Sequence, residues 1–91
     1  MAYCIRAIVS GKVQGVFYRR HTQQKADSLH ITGWVKNNSD GTVELRACGA
    51  EKNIKEFIAW LWEGPDAAQV SGVAWFEIPE ESHEKFKILS I

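Results

Sequence analysis

The sequence predicts an α+β fold, a two-layer sandwich in which an antiparallel sheet carries two helices on one face. Three observations predict it. Short stretches with two-residue apolar alternation read as strands, two longer stretches carry helical spacing, and the two kinds succeed one another as β-α-β-β-α-β with a short strand after them.

Residues 2–10 (AYCIRAIVS) form the first predicted strand, with Ile5, Ala7 and Val9 alternating against Cys4, Arg6 and Ile8. Gly11 and Gly15 punctuate a loop over residues 11–18, and a helix follows from about Arg19 to Leu29 with Tyr18, Thr22, Ala26 and Leu29 on one stripe. Residues 31–37 (ITGWVKN) are a second strand. Asn38-Ser39-Asp40-Gly41 is a hairpin turn, because Asp-Gly supplies the positive φ that tight turns need. Residues 42–48 (TVELRAC) place Val43, Leu45 and Ala47 on one face of a third strand. The second helix spans Glu51 to Glu63, with Ile54, Phe57, Ile58 and Leu61 at i, i+3, i+4 and i+7, and Gly64-Pro65 stops it. Val70 to Ile78 is a fourth strand and Phe86 to Ile91 a short fifth. This is the ferredoxin-like βαββαβ order, in which the first and third strands lie adjacent and antiparallel at the centre.

Ninety-one residues are enough for one two-layer core and too few for two, so residues 1–91 are expected to form a single domain. Eleven basic side chains balance eleven acidic ones. That balance speaks against a nucleic-acid partner, which calls for a cationic surplus, while leaving room for a small anion at one local positive site. No apolar run reaches the ~18 residues a bilayer requires, and no basic segment leads into an apolar one at the N-terminus, so a cytoplasmic, non-membrane protein is expected. Cys4 and Cys48 form no C-x-x-C pair, which leaves metal binding and thioredoxin-type chemistry without support; in a reducing cytosol they are expected as small thiols rather than a bridge. A register that pairs Ser10 with Thr42 also pairs Cys4 with Cys48 on one face, so a disulfide is geometrically possible under oxidation. The same register opposes Arg6 to Arg46, an unfavourable pair.

Chemistry concentrates in residues 11–19, Gly-Lys-Val-Gln-Gly-Val-Phe-Tyr-Arg, between a strand and a helix. Gly15 lets the chain turn so that successive N–H groups point into one concavity, to which the helix N-terminus adds its own unpaired donors. Arg19 falls in the first helical turn, where its guanidinium can fork onto two oxygens of a bound anion. Neither the GxxxxGK[ST] nor the GxGxxG pattern is present. A plain strand-to-helix turn with a surface arginine has the same look. A second segment adds weight: Asn37 sits at the hairpin end of a strand, and a mid-strand Asn suits a ladder poorly, although Asn also starts turns.

Together the two segments resemble the signature patterns of the acylphosphatase family. GxVQGVx[FY]R is met by Gly11, Val13, Gln14, Gly15, Val16, Tyr18 and Arg19, and G[FYW][AVC]xNxxxGxVxxxxxG by Gly33, Trp34, Val35, Asn37, Gly41, Val43 and Gly49. Order, spacing and chain length agree as well, and from Ala67 onward the match is in pattern more than in residues. The resemblance implies a free-standing monomeric hydrolase that cleaves the carboxyl–phosphate bond of small acylphosphates without metal or cofactor. It implies that the backbone of Gln14, Gly15, Val16, Phe17, Tyr18 and Arg19 binds the phosphoryl group, that Arg19 and Asn37 are catalytic, and that inorganic phosphate or sulfate binds as a product-like ligand. Phe17 occupies a position often small in the family and is expected to narrow the pocket mouth.

His21, His30 and His83 match no motif position and are expected in surface or capping roles. Lys12 and Arg20 are expected as solvated charges flanking the anion loop, and Trp34, Trp60 and Trp75 as packing or half-exposed aromatics. Sandwiches of this order also serve as RNA-recognition modules and metal chaperones. The central strands AYCIRAIVS and TVELRAC lack the aromatic RNP pattern of the first, and the first loop lacks the C-x-x-C of the second.

Overall fold

The structure is a computed structural model that describes residues 2–90. Its elements are β1 (Tyr3–Lys12), α1 (Tyr18–Ser28), β2 (Thr32–Asn37), β3 (Val43–Gly49), α2 (Glu51–Glu63), β4 (Gln69–Ile78) and β5 (Phe86–Leu89). Ile91, the last residue of the predicted fifth strand, lies outside the described residues. The five strands form one sheet in the order β4-β1-β3-β2-β5.

β1 and β3 pair antiparallel with Cys4 opposite Cys48, Arg6 opposite Arg46 and Ala7 opposite Leu45. Alternation then separates two faces. Ile5, Ala7, Val9, Val43, Leu45, Ala47 and Val35 are almost wholly buried beneath the helices. On the second helix Ile54, Phe57, Ile58 and Leu61 complete that core, each contributing about 1.5–3 kcal/mol through burial. Tyr18, Thr22 and Ala26 bury the first helix, and Leu29 packs at the cluster's margin. The Tyr18 hydroxyl donates to the Leu61 carbonyl at 2.7 Å and so ties the helices together; burial pushes its pKa well above the usual tyrosine value.

Two expectations need correction. The first strand does not stop at Ser10. A register shift between Ser10 and Gly11, where Gly11 takes φ 119°, carries it on to pair Gly11 with Val70 and Lys12 with Gln69, so the loop shrinks to residues 13–17. The terminal strand pairs with β2 in parallel, Gly33 beside Phe86 and Lys36 beside Leu89, and makes the sheet mixed. Order explains this. β4 and β5 occupy opposite edges, so residues 79–85 pass beneath the ends of β1, β3 and β2 before β5 can start. Four strand spacings amount to ~19 Å, against a reach of ~26 Å for the chain from Ile78 to Phe86. The segment therefore spans the gap with about a quarter of its reach to spare and lies across that end of the sheet.

The face away from the helices carries charge. Arg6 and Arg46 stand opposite each other, yet Arg6 Nε donates to Glu44 at 2.9 Å and Arg46 pairs with Glu81 of the crossing segment. Each guanidinium has its own carboxylate, and Arg6 also lies 5.6 Å from the centre of the Phe76 ring. Burial raises the Glu44 pKa, but hydrogen bonds and charge from Arg6, with Asn38 and Lys36, leave it below the usual value.

The expectation of two thiols is also corrected: at the crossing end the sulfurs of Cys4 and Cys48 are bonded across the central pair, 44 residues apart in sequence, because the register sets them directly opposite on one face. A link of that span restricts the unfolded chain, so its reduction is expected to lower stability by about 2–4 kcal/mol. Urea unfolding with and without a reductant checks this, and coincident midpoints would contradict it.

Candidate active site

At the opposite end converge the last residues of β1, β2 and β5 and the start of α1. The short loop is held from below: Val13, Val16 and Tyr18 are buried while Gly15 and Phe17 face solvent. Plugging alternate residues into the core fixes the backbone without using its N–H groups. Gly15 at φ 74° and Phe17 at φ 62° turn the chain into the helix. A left-handed phenylalanine costs on the order of 1 kcal/mol, a strain the surrounding packing holds in place.

Phe17 stands at the N-cap of the helix and makes no side-chain cap, and no acidic residue follows in the first turn. The first amides of a helix have no partner within it, so here they keep their hydrogen-bonding capacity and the positive end of the helix dipole for another acceptor. Phe17 itself is 70% exposed and is not among the residues lining the adjacent cleft.

That cleft, about 390 Å³, is lined by Lys36, Asn37, Asn38, Ser39, Leu89 and Ser90. Asn37 ends β2 opposite Val43, on the helix side of the sheet. Its Oδ1 is buried and has no hydrogen-bond partner among the described residues. Arg19 Nη1 donates to the Leu89 carbonyl at 3.2 Å, which brings the guanidinium to the strand that borders Asn37's cleft. One turn on, Gln23 donates to the Phe86 carbonyl at 3.0 Å, so two side chains of the first helix clasp β5.

Gln14 does more than lend its backbone. Its Nε2 donates to the carbonyls of Asn38 (2.8 Å) and Thr42 (2.9 Å), bolting the loop to the turn that follows Asn37. Sequence reading missed this side-chain role; the only signal was a polar residue fixed between Val13 and Gly15, because the carbonyls it meets, which also accept the Gly41 and Asn38 amides, leave no mark in the sequence. The turn is also locked internally. Asp40 accepts from the Thr42 hydroxyl at 2.6 Å and the Thr42 amide at 3.0 Å, which holds its carboxyl below the usual range, and Asn38 donates to the Thr42 hydroxyl at 3.0 Å.

The remaining residues singled out in the sequence fall elsewhere. Lys12 and Arg20 are exposed. His21 is exposed with Nδ1 2.9 Å from the Phe17 carbonyl, and His30 is exposed after α1. His83 lies at the far end of the sheet beside Glu81, as do both cysteines. Trp34 and Trp60 are half-buried, while Trp75 is exposed.

An α+β sandwich whose strand ends gather an uncapped helix start, a guanidinium and an unpartnered amide oxygen is an oxyanion-handling domain. The chain matches the acylphosphatase family model over residues 5–88. It is 54% identical over 85 residues to an acylphosphatase of Coxiella burnetii (strain Dugway 5J108-111), covering 93% of this chain and 90% of the relative. Among solved structures, an acylphosphatase from Coxiella burnetii superposes with TM-score 0.94 at 51% identity, over 97% of this chain and 93% of the other. The acylphosphatase from Bacillus subtilis gives 0.93 at 37% identity, over 98% and 99%. The chain belongs to the acylphosphatase family: it is an enzyme that hydrolyses acylphosphates to a carboxylate and phosphate.

Because the Gln14 side chain joins loop and turn by two hydrogen bonds, Gln14→Ala is expected to lower kcat/KM about tenfold, for a loss of ~1.4 kcal/mol of positioning. Steady-state kinetics on benzoyl phosphate, with circular dichroism as a check on folding, measures it.

Proposed function

We propose that Arg19 and Asn37 are the catalytic pair and that the backbone N–H groups of Gln14, Gly15, Val16, Phe17, Tyr18 and Arg19 hold the phosphoryl group. The observation that carries this reading is the buried, unpartnered Oδ1 of Asn37 beside a cleft that Arg19's strand partner also lines. A buried acceptor left without a donor costs ~1–3 kcal/mol, and a water molecule bound for attack supplies the missing donor.

The chemistry then follows from placement. Arg19 and the loop amides neutralise charge on the equatorial oxygens of the phosphoryl group. Asn37 Oδ1 accepts a hydrogen from the attacking water and aims its oxygen at phosphorus, in line with the acyl oxygen. The P–O bond to the acyl group breaks and the carboxylate departs with its electron pair. The water's proton passes to a phosphoryl oxygen of the substrate itself. A carboxylate is a good leaving group, so no general acid is needed, which agrees with the absence of His, Asp and Glu from the specified positions of both motifs; Asp40 and Glu44 fall at unspecified ones. Positive charge comes from the protein, so no metal ion or cofactor enters the reaction. Inorganic phosphate and sulfate occupy the same cradle. The protein acts as a one-domain monomer in the cytoplasm, without nucleic-acid or membrane partners; its zero net charge supports this, and no helix among the described residues is long and apolar enough to cross a membrane.

Arg19→Ala is expected to lower activity at least ~10³-fold, and Arg19→Lys to fail badly too, because a point charge lacks the planar fork. Asn37→Ala should reduce kcat ~10²–10³-fold while phosphate inhibition stays near normal. Near-wild-type turnover in either alanine variant would refute the role given to that residue. Benzoyl phosphate hydrolysis in the presence of a chelator is expected to proceed in full; a loss restored by Mg²⁺ would end the metal-free scheme.

A further inference from the structure

The end of the sheet remote from the catalytic cleft holds a second cluster with chemistry of its own. Cys48 Sγ, a Glu81 carboxylate oxygen and a His83 ring nitrogen lie within 4.8 Å of one another. Cys4 Sγ adjoins this group, bonded to Cys48 Sγ and accepting from the Glu81 backbone amide at 3.3 Å, and reduction frees it to turn toward the other three. Both cysteines are buried, and Glu81 and His83 are half-buried. The cluster is built by topology. The antiparallel register sets Cys4 against Cys48, and the passage of residues 79–85 across this end of the sheet lays Glu81 and His83 beside them.

We propose that reduction of the Cys4–Cys48 bond creates a site for a thiophilic divalent cation of the zinc class, with Cys4 Sγ, Cys48 Sγ, a His83 ring nitrogen and a Glu81 carboxylate oxygen as its four donors. A dithiol reductant supplies two electrons and two protons, is itself oxidised to a disulfide, and leaves two protein thiols. The cation then displaces both thiol protons and takes the thiolates as ligands. Two sulfurs, one imidazole nitrogen and one carboxylate oxygen are the tetrahedral donor set that zinc accepts.

Spacing supports this. His83 Nε2 stands 3.0 Å from Glu81 Oε1, near the ~3.3 Å between two N/O ligands on one tetrahedral zinc with bonds of about 2.0–2.1 Å. Charge supports it too. Two thiolates and the Glu81 carboxylate balance a divalent cation together with the Arg46 guanidinium, which pairs with the other carboxylate oxygen, Oε2, and so serves as an outer clamp. His83 also lines a cleft of about 360 Å³ bordered by Gly33, Trp34 and Lys85, so that donor is reached from solvent. Oxidation removes both thiolates, so the disulfide and the metal are alternative occupants of one position. The catalytic pair lies about 17 Å away along β3, five residues of strand, so this site takes no part in phosphoryl transfer.

Cobalt(II) titration of the full chain tests the proposal. The reduced protein is expected to give thiolate-to-cobalt charge-transfer bands and tetrahedral ligand-field bands that zinc abolishes. The air-oxidised protein is expected to give neither. His83→Ala should keep benzoyl phosphate turnover, which certifies its fold, while weakening cobalt binding by more than the ~10–100-fold typical of losing an outer-shell partner. Cys48→Ser, which leaves a single thiolate, should weaken the charge-transfer bands, and the double Cys4→Ser, Cys48→Ser variant should abolish them. Absence of these bands in the reduced wild type, equal binding by the oxidised form, or unchanged affinity in His83→Ala would each overturn it.

Discussion

The antiparallel pairing of β1 with β3 is the constraint on which everything else rests. Because Cys4 meets Cys48 and Val9 meets Val43, the end of β1 arrives beside the β2–β3 turn, and the loop that follows reaches the carbonyls of Asn38 and Thr42 through Gln14. A slip of one residue would send Ile5, Ala7 and Val9 to the charged face and carry the loop away from Asn37. The apolar core and the catalytic end are thus two readings of the same register, one lateral and one longitudinal.

Much of this was legible in the sequence. The second helix follows from four apolar residues at helical spacing and a Gly-Pro stop, features that owe nothing to distant partners. The Cys4–Cys48 alignment follows from setting two alternating strands against a hairpin turn. What escaped was non-local. The continuation of β1 through Lys12 depends on a bulge at Gly11, where glycine looked like the end of a strand because it so often is. The parallel seating of β5 depends on which edge of the sheet was free, and four residues carry no record of that. At the cleft end the motifs supplied the proposed residues, but the Gln14 clamp and Arg19's hold on Leu89 involve partners 24 to 70 residues away and carbonyls that any residue could provide. The cluster of Cys4, Cys48, Glu81 and His83 was hidden for the same reason: its members come from three segments, and no spacing rule joins them.

The apparent flaw in the register, one arginine facing another, is resolved by neighbours in the third dimension. Glu44 lies on the same face as Arg6, and Glu81 is delivered from the crossing segment to Arg46. Hydrogen bonds from His83 and then from Arg46 outweigh the opposing effect of burial and hold the Glu81 carboxyl below its usual pKa. A pairwise rule for opposed like charges fails where a third strand or a strap supplies the counter-ion. Such sites mark where the chain's ends have been enlisted to correct its middle.

The first helix begins without a cap. Phe17 occupies the position that serine, threonine or aspartate usually fills, and offers no oxygen to the exposed amides. A missing cap leaves the helix short of about 0.5–2 kcal/mol, and any oxyanion that settles there restores it. The occupant is thus a missing piece of secondary structure as much as a reactant. On the proposed assignment the bound phosphoryl group completes the start of the helix, and its departure as phosphate leaves that start uncapped again.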